Sequence, residues 1–315
     1  MSDLPTSTLG RTGLEVSKLG YGAMELRGGG SRWGGRTVGP EAAEGLLNSV
    51  LDAGINFIDT SPDYGGSEEL IGEFISHRRD EFFLASKCGC PINQPRPAEG
   101  QRPAHLFTRE NIRAGVEQSL RRMKTDHLDL VQFHISPSRQ VLEENESVEE
   151  LRALQGEGKI RFLGMSGTLP NLTDHIAMGV FDAFQIPYSA LEPEHEESIA
   201  SAAAGGAGTI IRGGVARGAP SLEDSSLEGL PDFFRQRVVE RRDRWQDAKL
   251  EDLLGEMSRM EFMLRFTLSH PQMHTTIVGT ANPAHLADNV AAARKGPLPA
   301  DLYEEAKKRL AAVEK

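Results

Sequence analysis

A closed (β/α)8 TIM barrel is the fold class that this sequence predicts, as one domain over residues 1–315 with an N-terminal β-hairpin capping the barrel bottom. Three observations predict it. Short apolar, β-prone runs recur eight times with helical stretches between them, and regular βα alternation builds a parallel sheet with helices outside it. The chain suits one barrel, because α/β barrels of roughly 250 residues or more count as single domains. The Gly-x-Gly-x-x-Gly fingerprint of an open dinucleotide-binding sheet is missing: Gly20-Tyr21-Gly22-Ala23-Met24 has no third glycine in register.

The elements follow in order. Residues 8–16 read as a hairpin around Gly10-Arg11-Thr12-Gly13. The first barrel strand, 18–23, runs into Met24. Residues 28–39 are Gly-rich, hold Trp33, and read either as a wall over a site or as a linker. Helix 41–53 has apolar spacing at Ala42, Leu46 and Val50 and stops at Gly54. Strand 55–58 leads into the polar loop Asp59-Thr60-Ser61-Pro62-Asp63-Tyr64-Gly65-Gly66, broken by Pro and Gly, and then a helix over 69–77. Strand 82–86 precedes an irregular Pro-rich loop, 91–103, and Thr108 caps a helix that reaches Met123. Strand 128–133 ends at His134, and helix 147–155, strand 160–165, strand 182–186, helix 194–204 and strand 208–211 follow. Residues 219–249 read as long, charged and irregular, and 250–269 as one helix. Strand 275–278 and helices 283–293 and 299–313 close the chain.

Composition narrows the function. Asp and Glu outnumber Lys and Arg by 46 to 35, for a formal net charge of −11, so no broad basic surface for nucleic acid or anionic lipid is expected. No apolar run approaches the roughly 20 residues of a membrane span. Met1-Ser2-Asp3-Leu4-Pro5 lacks the basic and apolar regions of a signal peptide, so a cytoplasmic protein is expected. Cys88 and Cys90 stand too close in sequence to bridge each other, and no second pair completes a zinc motif. Glu194-His195-Glu196-Glu197 lacks a second His at i+4, and no metal is expected. Oligomeric state has no signature in the sequence.

Polar residues at strand ends carry the chemistry. Asp59 follows the second barrel strand, Lys87 the third and His134 the fourth, with Tyr64 on the second loop. In a barrel these ends share one mouth. Singly, each has a plainer reading: a turn cap, a snorkelling lysine, a core histidine, a surface tyrosine. Together they read as one site. A phenol, with a pKa of about 10, is a poor proton donor at neutral pH. A buried ammonium beside it favours the phenolate, and Lys87 can supply one that Asp59 keeps charged. His134 can orient a substrate oxygen. Such a set protonates an oxygen while hydride reaches the carbon, and no side chain donates hydride, so a cofactor is required.

The motifs resemble the aldo-keto reductase family over nearly the whole chain. They are Leu9-Gly10-Arg11-Thr12-Gly13-Leu14-Glu15-Val16-Ser17, Gly54-Ile55-Asn56-Phe57-Ile58-Asp59-Thr60 with Tyr64-Gly65, and Ser119-Leu120-Arg121-Arg122-Met123. Further on come Asp129-Leu130-Val131-Gln132-Phe133-His134, the run from Gly158 to Ser166, and Ile277-Val278-Gly279-Thr280. The resemblance implies a (β/α)8 barrel that reduces aldehydes and ketones with NADPH, less often NADH. It makes Tyr64 the general acid, Lys87 and Asp59 its tuning pair, and His134 the carbonyl-orienting group. It sets Ser166 and Gln185 at the nicotinamide carboxamide, with Gly167 where the family often has Asn. Arg212 stands where a Tyr usually stacks on the ring, and a cation there should tolerate the neutral reduced ring better than the charged oxidised one. Gly279, Thr280, Asn282 and His285 fall around the adenosine 2′-phosphate, with Gly279 and His285 replacing the family's Lys and Arg; Asp288 and Asn289 fall at adenine. Gly22, Ala23, Asp59, Gly213, Val215 and Arg217 complete the cofactor set, and Met24 and Trp33 fall against a small carbonyl substrate. The alternatives are a dehydrogenase oxidising a sugar or other alcohol, and a cofactor-binding regulatory subunit without turnover.

Overall fold

The computed structural model describes residues 3–28, 38–92, 104–215 and 232–313. The N-terminal hairpin pairs β1 (Thr6–Thr8) antiparallel with β2 (Glu15–Ser17). Eight strands then close a parallel barrel: β3 (Leu19–Gly22), β4 (Phe57–Asp59), β5 (Phe83–Cys88), β6 (Leu128–Phe133), β7 (Ile160–Ser166), β8 (Ala183–Pro187), β9 (Gly208–Arg212) and β10 (Thr275–Val278). Closure is made where β10 pairs β3, Ile277 opposite Gly20.

Eleven helices are described: α1 (Pro40–Asp52), α2 (Ser67–Phe74), α3 (Arg109–Met123), α4 (Arg139–Glu144), α5 (Ser147–Gly156), α6 (Asn171–Met178), α7 (Glu196–Ala204), α8 (Asp232–Asp247), α9 (Arg259–Leu268), α10 (Pro283–Arg294) and α11 (Ala300–Val313). Helices α4 and α6 have no counterpart among the helices named from the sequence, and two further segments depart from that reading. Much of the charged stretch read as irregular is helix α8. Its described side chains are almost all exposed or half-buried, apart from Trp245, which anchors it by donating Nε1–H to Glu251 (2.9 Å). So few apolar positions leave no periodic signal. The single helix read over 250–269 is broken: a 3-10 turn, Leu250–Leu253, leads to Gly255 at φ +55°, and Ser258 restarts the chain by capping Glu261 N–H (3.1 Å).

The hairpin fills the amino-terminal end of the barrel. Leu9, Leu14 and Val16 form one cluster with Phe57, Ala85, Leu130, Ala183 and Ile210, one residue from each of five barrel strands. The approach is tight, because a Cβ on Gly208 would lie 2.6 Å from the Leu9 side chain. Ser7 hydroxyl and Arg11 backbone N–H tie the hairpin to the His274 and Gly206 carbonyls (2.6 and 2.7 Å).

Candidate active site

Side chains alternate between faces along a strand, so the residue two positions beyond each plug residue also points inward, one layer higher. Those residues are Asp59, Lys87, Gln132, Gln185 and Arg212. The apolar floor is thus covered by a polar layer at the carboxyl ends of the strands, where barrel sites form. Asp59 knots that layer. Its Oδ2 accepts from Gln132 Nε2 (2.9 Å), Gln185 Nε2 (2.8 Å) and Lys87 Nζ, and Lys87 also donates to the Thr60 carbonyl (3.1 Å). Ser166 Oγ donates to Gln185 Oε1 (3.1 Å). Gln132 has room because its neighbour on β7 is Gly164, whose Cβ would lie 2.8 Å from Gln132 Cγ.

Tyr64 sits on the loop between β4 and α2. Its N–H donates to the Ser61 carbonyl (2.9 Å), and its own carbonyl accepts from Ser67 N–H (2.9 Å). The next residue must be glycine: Gly65 has φ +51°, and a Cβ there would lie 2.0 Å from the Arg27 carbonyl oxygen. The phenol lies above its ordinary pKa, through burial first and the Asp59 carboxylate second, with the Arg212 guanidinium opposing both. Lys87 was expected to pull that value down. Instead its charge is matched by Asp59, and burial dominates. Lys87 is itself held below the usual lysine range by burial, with Asp59 opposing.

His134 follows β6, its backbone N–H on the Cys88 carbonyl (3.1 Å). Its ring stands edge-on to Tyr64, centroids 6.2 Å apart at 83°. Burial and the Lys87 charge push its pKa down to about 3, so the imidazole is neutral at physiological pH. Nδ1 lies 3.3 Å from His105 Nε2 and 3.3 Å from Cys90 Sγ. The two residues beyond it, Ile135 and Ser136, both have positive φ, and Ser136 and Asn171 bond across this turn.

A cleft of about 1620 Å³ runs from this mouth to the start of α10. Small-molecule pockets are commonly about 300–1,000 Å³, so the space suits an extended ligand. Gly22, Met24, Asp59, Tyr64, Gln185, Arg212, Gly213 and Val215 line it at the mouth. Gly279, Thr280, Asn282, His285, Asp288 and Asn289 line it at the far end. There Pro283 opens α10 and Asn282 Oδ1 caps Ala284 N–H (2.9 Å), the arrangement that leaves first-turn N–H groups for an anion. A nicotinamide dinucleotide therefore fits the residues present. Ala23, Lys87, His134 and Ser166 do not line the cleft: Ala23 and Lys87 are buried, His134 stands beside Tyr64, and Ser166 reaches it through Gln185. Trp33 and Arg217 lie outside the described residues.

Several residues of the site escaped the sequence reading. Gln132 was legible in principle, as a polar residue at an inward position two before His134. Asp63, Cys90 and His105 were not, because they converge from separate loops. Glu25, Arg27, Met260 and Glu261 join the cleft wall from outside the barrel strands.

Comparison with known proteins agrees with this geometry. The family model described as "Aldo/keto reductase family" matches residues 18–310. Aldo-keto reductase YhdN of Bacillus subtilis is 29% identical over 299 residues, covering 89% of this chain and 86% of that protein. D-threo-aldose 1-dehydrogenase of a Pseudomonas species is 27% identical, covering 93% of this chain and 94% of that one. The holo form of aldo-keto reductase AKR11C1 from Bacillus halodurans superimposes with a TM-score of 0.81 at 26% identity, over 97% of this chain and 96% of that one. The chain is an oxidoreductase whose family uses nicotinamide cofactors, and it belongs to the aldo/keto reductase family.

Proposed function

We propose that the protein reduces an aldehyde or ketone to the alcohol, with NADPH as hydride donor and Tyr64 as proton donor. The observation that carries this reading is the shared cleft: Tyr64, Asp59, Gln185 and Arg212 line one end, and the start of α10 lines the other. A reduced nicotinamide, when bound, supplies hydride to the carbonyl carbon. Gln185, with Ser166 behind it, and Arg212 would hold the nicotinamide end, with Gly279, Thr280, Asn282 and His285 around the phosphate end.

The ionisation of the side chains supports these roles. A neutral His134 can donate a hydrogen bond to the substrate oxygen and fix its position. Tyr64 keeps its proton until negative charge develops on that oxygen, and an alkoxide is a stronger base than a phenolate. Asp59, held by three donors, fixes Lys87 and Gln185 in one arrangement. Oxidation would need Tyr64 as a base, and the raised phenol pKa leaves little phenolate near neutrality. On the substrate side, exposed large apolar residues among those described are Leu106, Ile135 and Leu169, on the loops after β5, β6 and β7. They supply an apolar rim.

NADH is the second reading, supported by the phosphate end. Gly279 supplies no cation where the family carries one, and a Cβ on it would lie 2.7 Å from the Gly22 carbonyl oxygen and near Glu25. Fluorescence titration with NADPH and NADH decides between them. Steady-state rates in both directions on a panel of aldehydes, ketones and sugars test the reaction. Undiminished turnover by Tyr64→Phe would overturn it.

A further inference from the structure

Four side chains meet at one point beside the proposed proton donor. Asp63 stands on the β4–α2 loop, Cys90 and His105 on the two arms of the β5–α3 connection, and His134 at the end of β6. Their ligating atoms all lie within 4.8 Å of one another. The geometry points to a tetrahedral site for a zinc-class divalent metal, made by Asp63 Oδ2, Cys90 Sγ, His105 Nε2 and His134 Nδ1.

Four of the cluster's six edges lie close to those of a coordination tetrahedron. His105 Nε2 to His134 Nδ1 is 3.3 Å, His134 Nδ1 to Cys90 Sγ 3.3 Å, His105 Nε2 to Asp63 Oδ2 3.1 Å, and His134 Nδ1 to Asp63 Oδ2 3.6 Å. Zinc bonds of about 2.0–2.1 Å to nitrogen and about 2.3 Å to sulfur give edges of about 3.3 Å between nitrogens and about 3.6 Å from nitrogen to sulfur. Two imidazoles, a thiolate and a carboxylate form a borderline-soft set that selects zinc over magnesium or calcium. One thiolate and one carboxylate also neutralise a divalent ion, which matters next to the matched Lys87–Asp59 pair at 0% and 3% side-chain exposure.

The supporting residues are those of a built site. Asn111 Nδ2 donates to the carbonyls of Cys90 (3.1 Å) and Leu106 (2.7 Å), clamping together the two arms that carry Cys90 and His105. His105 stacks on Phe107, centroids 6.3 Å apart at 26°, and Gly89 admits that ring, since a Cβ there would lie 2.3 Å from it. Ser61 Oγ accepts from Asp63 N–H (3.2 Å) and lies 3.5 Å from Cys90 Sγ. Metal at Nδ1 would place the remaining imidazole proton of His134 on Nε2, giving a substrate oxygen one fixed donor. The metal is thus a positioning device for His134.

Titrating zinc chloride into the chelator-stripped full-length protein tests the site. We expect about one zinc per chain, bound tighter than about 1 µM. Cobalt in its place should show tetrahedral d–d bands and a thiolate-to-cobalt charge-transfer band. Cys90→Ser should remove that band and weaken zinc by at least about 10-fold, and His105→Ala should weaken it similarly. Cys88→Ser, in which Cys90 is the remaining thiol, should keep both. Absence of saturable zinc binding by the wild type, a charge-transfer band that survives Cys90→Ser, or one lost in Cys88→Ser would overturn the proposal. Dinucleotide binding by the stripped protein tests the reductase reading separately, so either can fail alone.

Discussion

The two ends of the barrel use the same strands for opposite purposes. At the bottom, Phe57, Ala85, Leu130, Ala183 and Ile210 close on Leu9, Leu14 and Val16 in a layer with no ionisable group. Two residues further along the same five strands stand Asp59, Lys87, Gln132, Gln185 and Arg212. The floor gains by removing apolar surface from water, at roughly 25 cal/mol per Å². The upper layer contains a buried ion pair, whose desolvation offsets much of its attraction. One period-two register therefore separates stability from chemistry along the barrel axis, and changes at the two ends should read out differently.

The largest expected effect is at the upper end. Tyr64→Phe should lower kcat by about 10²- to 10⁴-fold, the usual worth of a positioned general acid, while dinucleotide affinity is unchanged. Removing one partner of the buried pair should affect folding as well. Lys87→Met leaves the Asp59 carboxylate uncompensated and should cost about 3–5 kcal/mol in urea unfolding, partly recovered by adding Asp59→Asn. At the floor, Leu9→Ala should cost about 2–5 kcal/mol and leave kcat/KM per folded molecule unchanged. A matching loss of kcat/KM there would erase the separation of the two ends.

Acid offers a milder probe of the floor. His274 bonds Thr209 (N–H to Nδ1 3.0 Å) near the hairpin, and burial, then the Lys18 charge, holds its pKa below the ordinary value. The unfolded chain therefore binds a proton near pH 6.5 that the folded one refuses. The stability it contributes is intact above that pH and declines as pH falls below it, by less than about 1.4 kcal/mol per pH unit given partial exposure. His274→Gln should flatten that part of the urea-midpoint profile between pH 7 and 5. The smallest effect belongs to Arg212. Arg212→Tyr should improve binding of the oxidised cofactor relative to the reduced one, by about 10-fold or less, as the cation at the cleft wall is lost. An unchanged ratio of the two dissociation constants would remove Arg212 from the redox preference.

Legibility followed locality. Strand spans were readable within a residue or two, because apolar β-prone runs flanked by turn residues carry their own signal. Helix α8 was not, since Trp245 is the one fully buried side chain among its described residues. Lys87 and His134 drew notice as polar residues at strand ends, and the same rule applied inside β6 would have found Gln132. Nothing local marked Asp63 or His105, and Cys90 stands out only with Cys88 as a pair too close to bridge. Two loops bring Asp63, Cys90 and His105 to His134, and the lack of a paired Cys or His spacing gives no metal signature in one dimension.

The amino-acid order by itself determined the strands, their inward and outward faces, and so which residue types could occupy each layer, because side-chain direction in a strand depends only on position parity. Tertiary structure alone decided their partners. The donors on Asp59 come from 28, 73 and 126 residues away, and only closure of the barrel, β10 beside β3, makes them neighbours. Closure also decided the ionisation of the site. Burial, a property of the assembled barrel and of no single segment, raises Tyr64 and lowers His134.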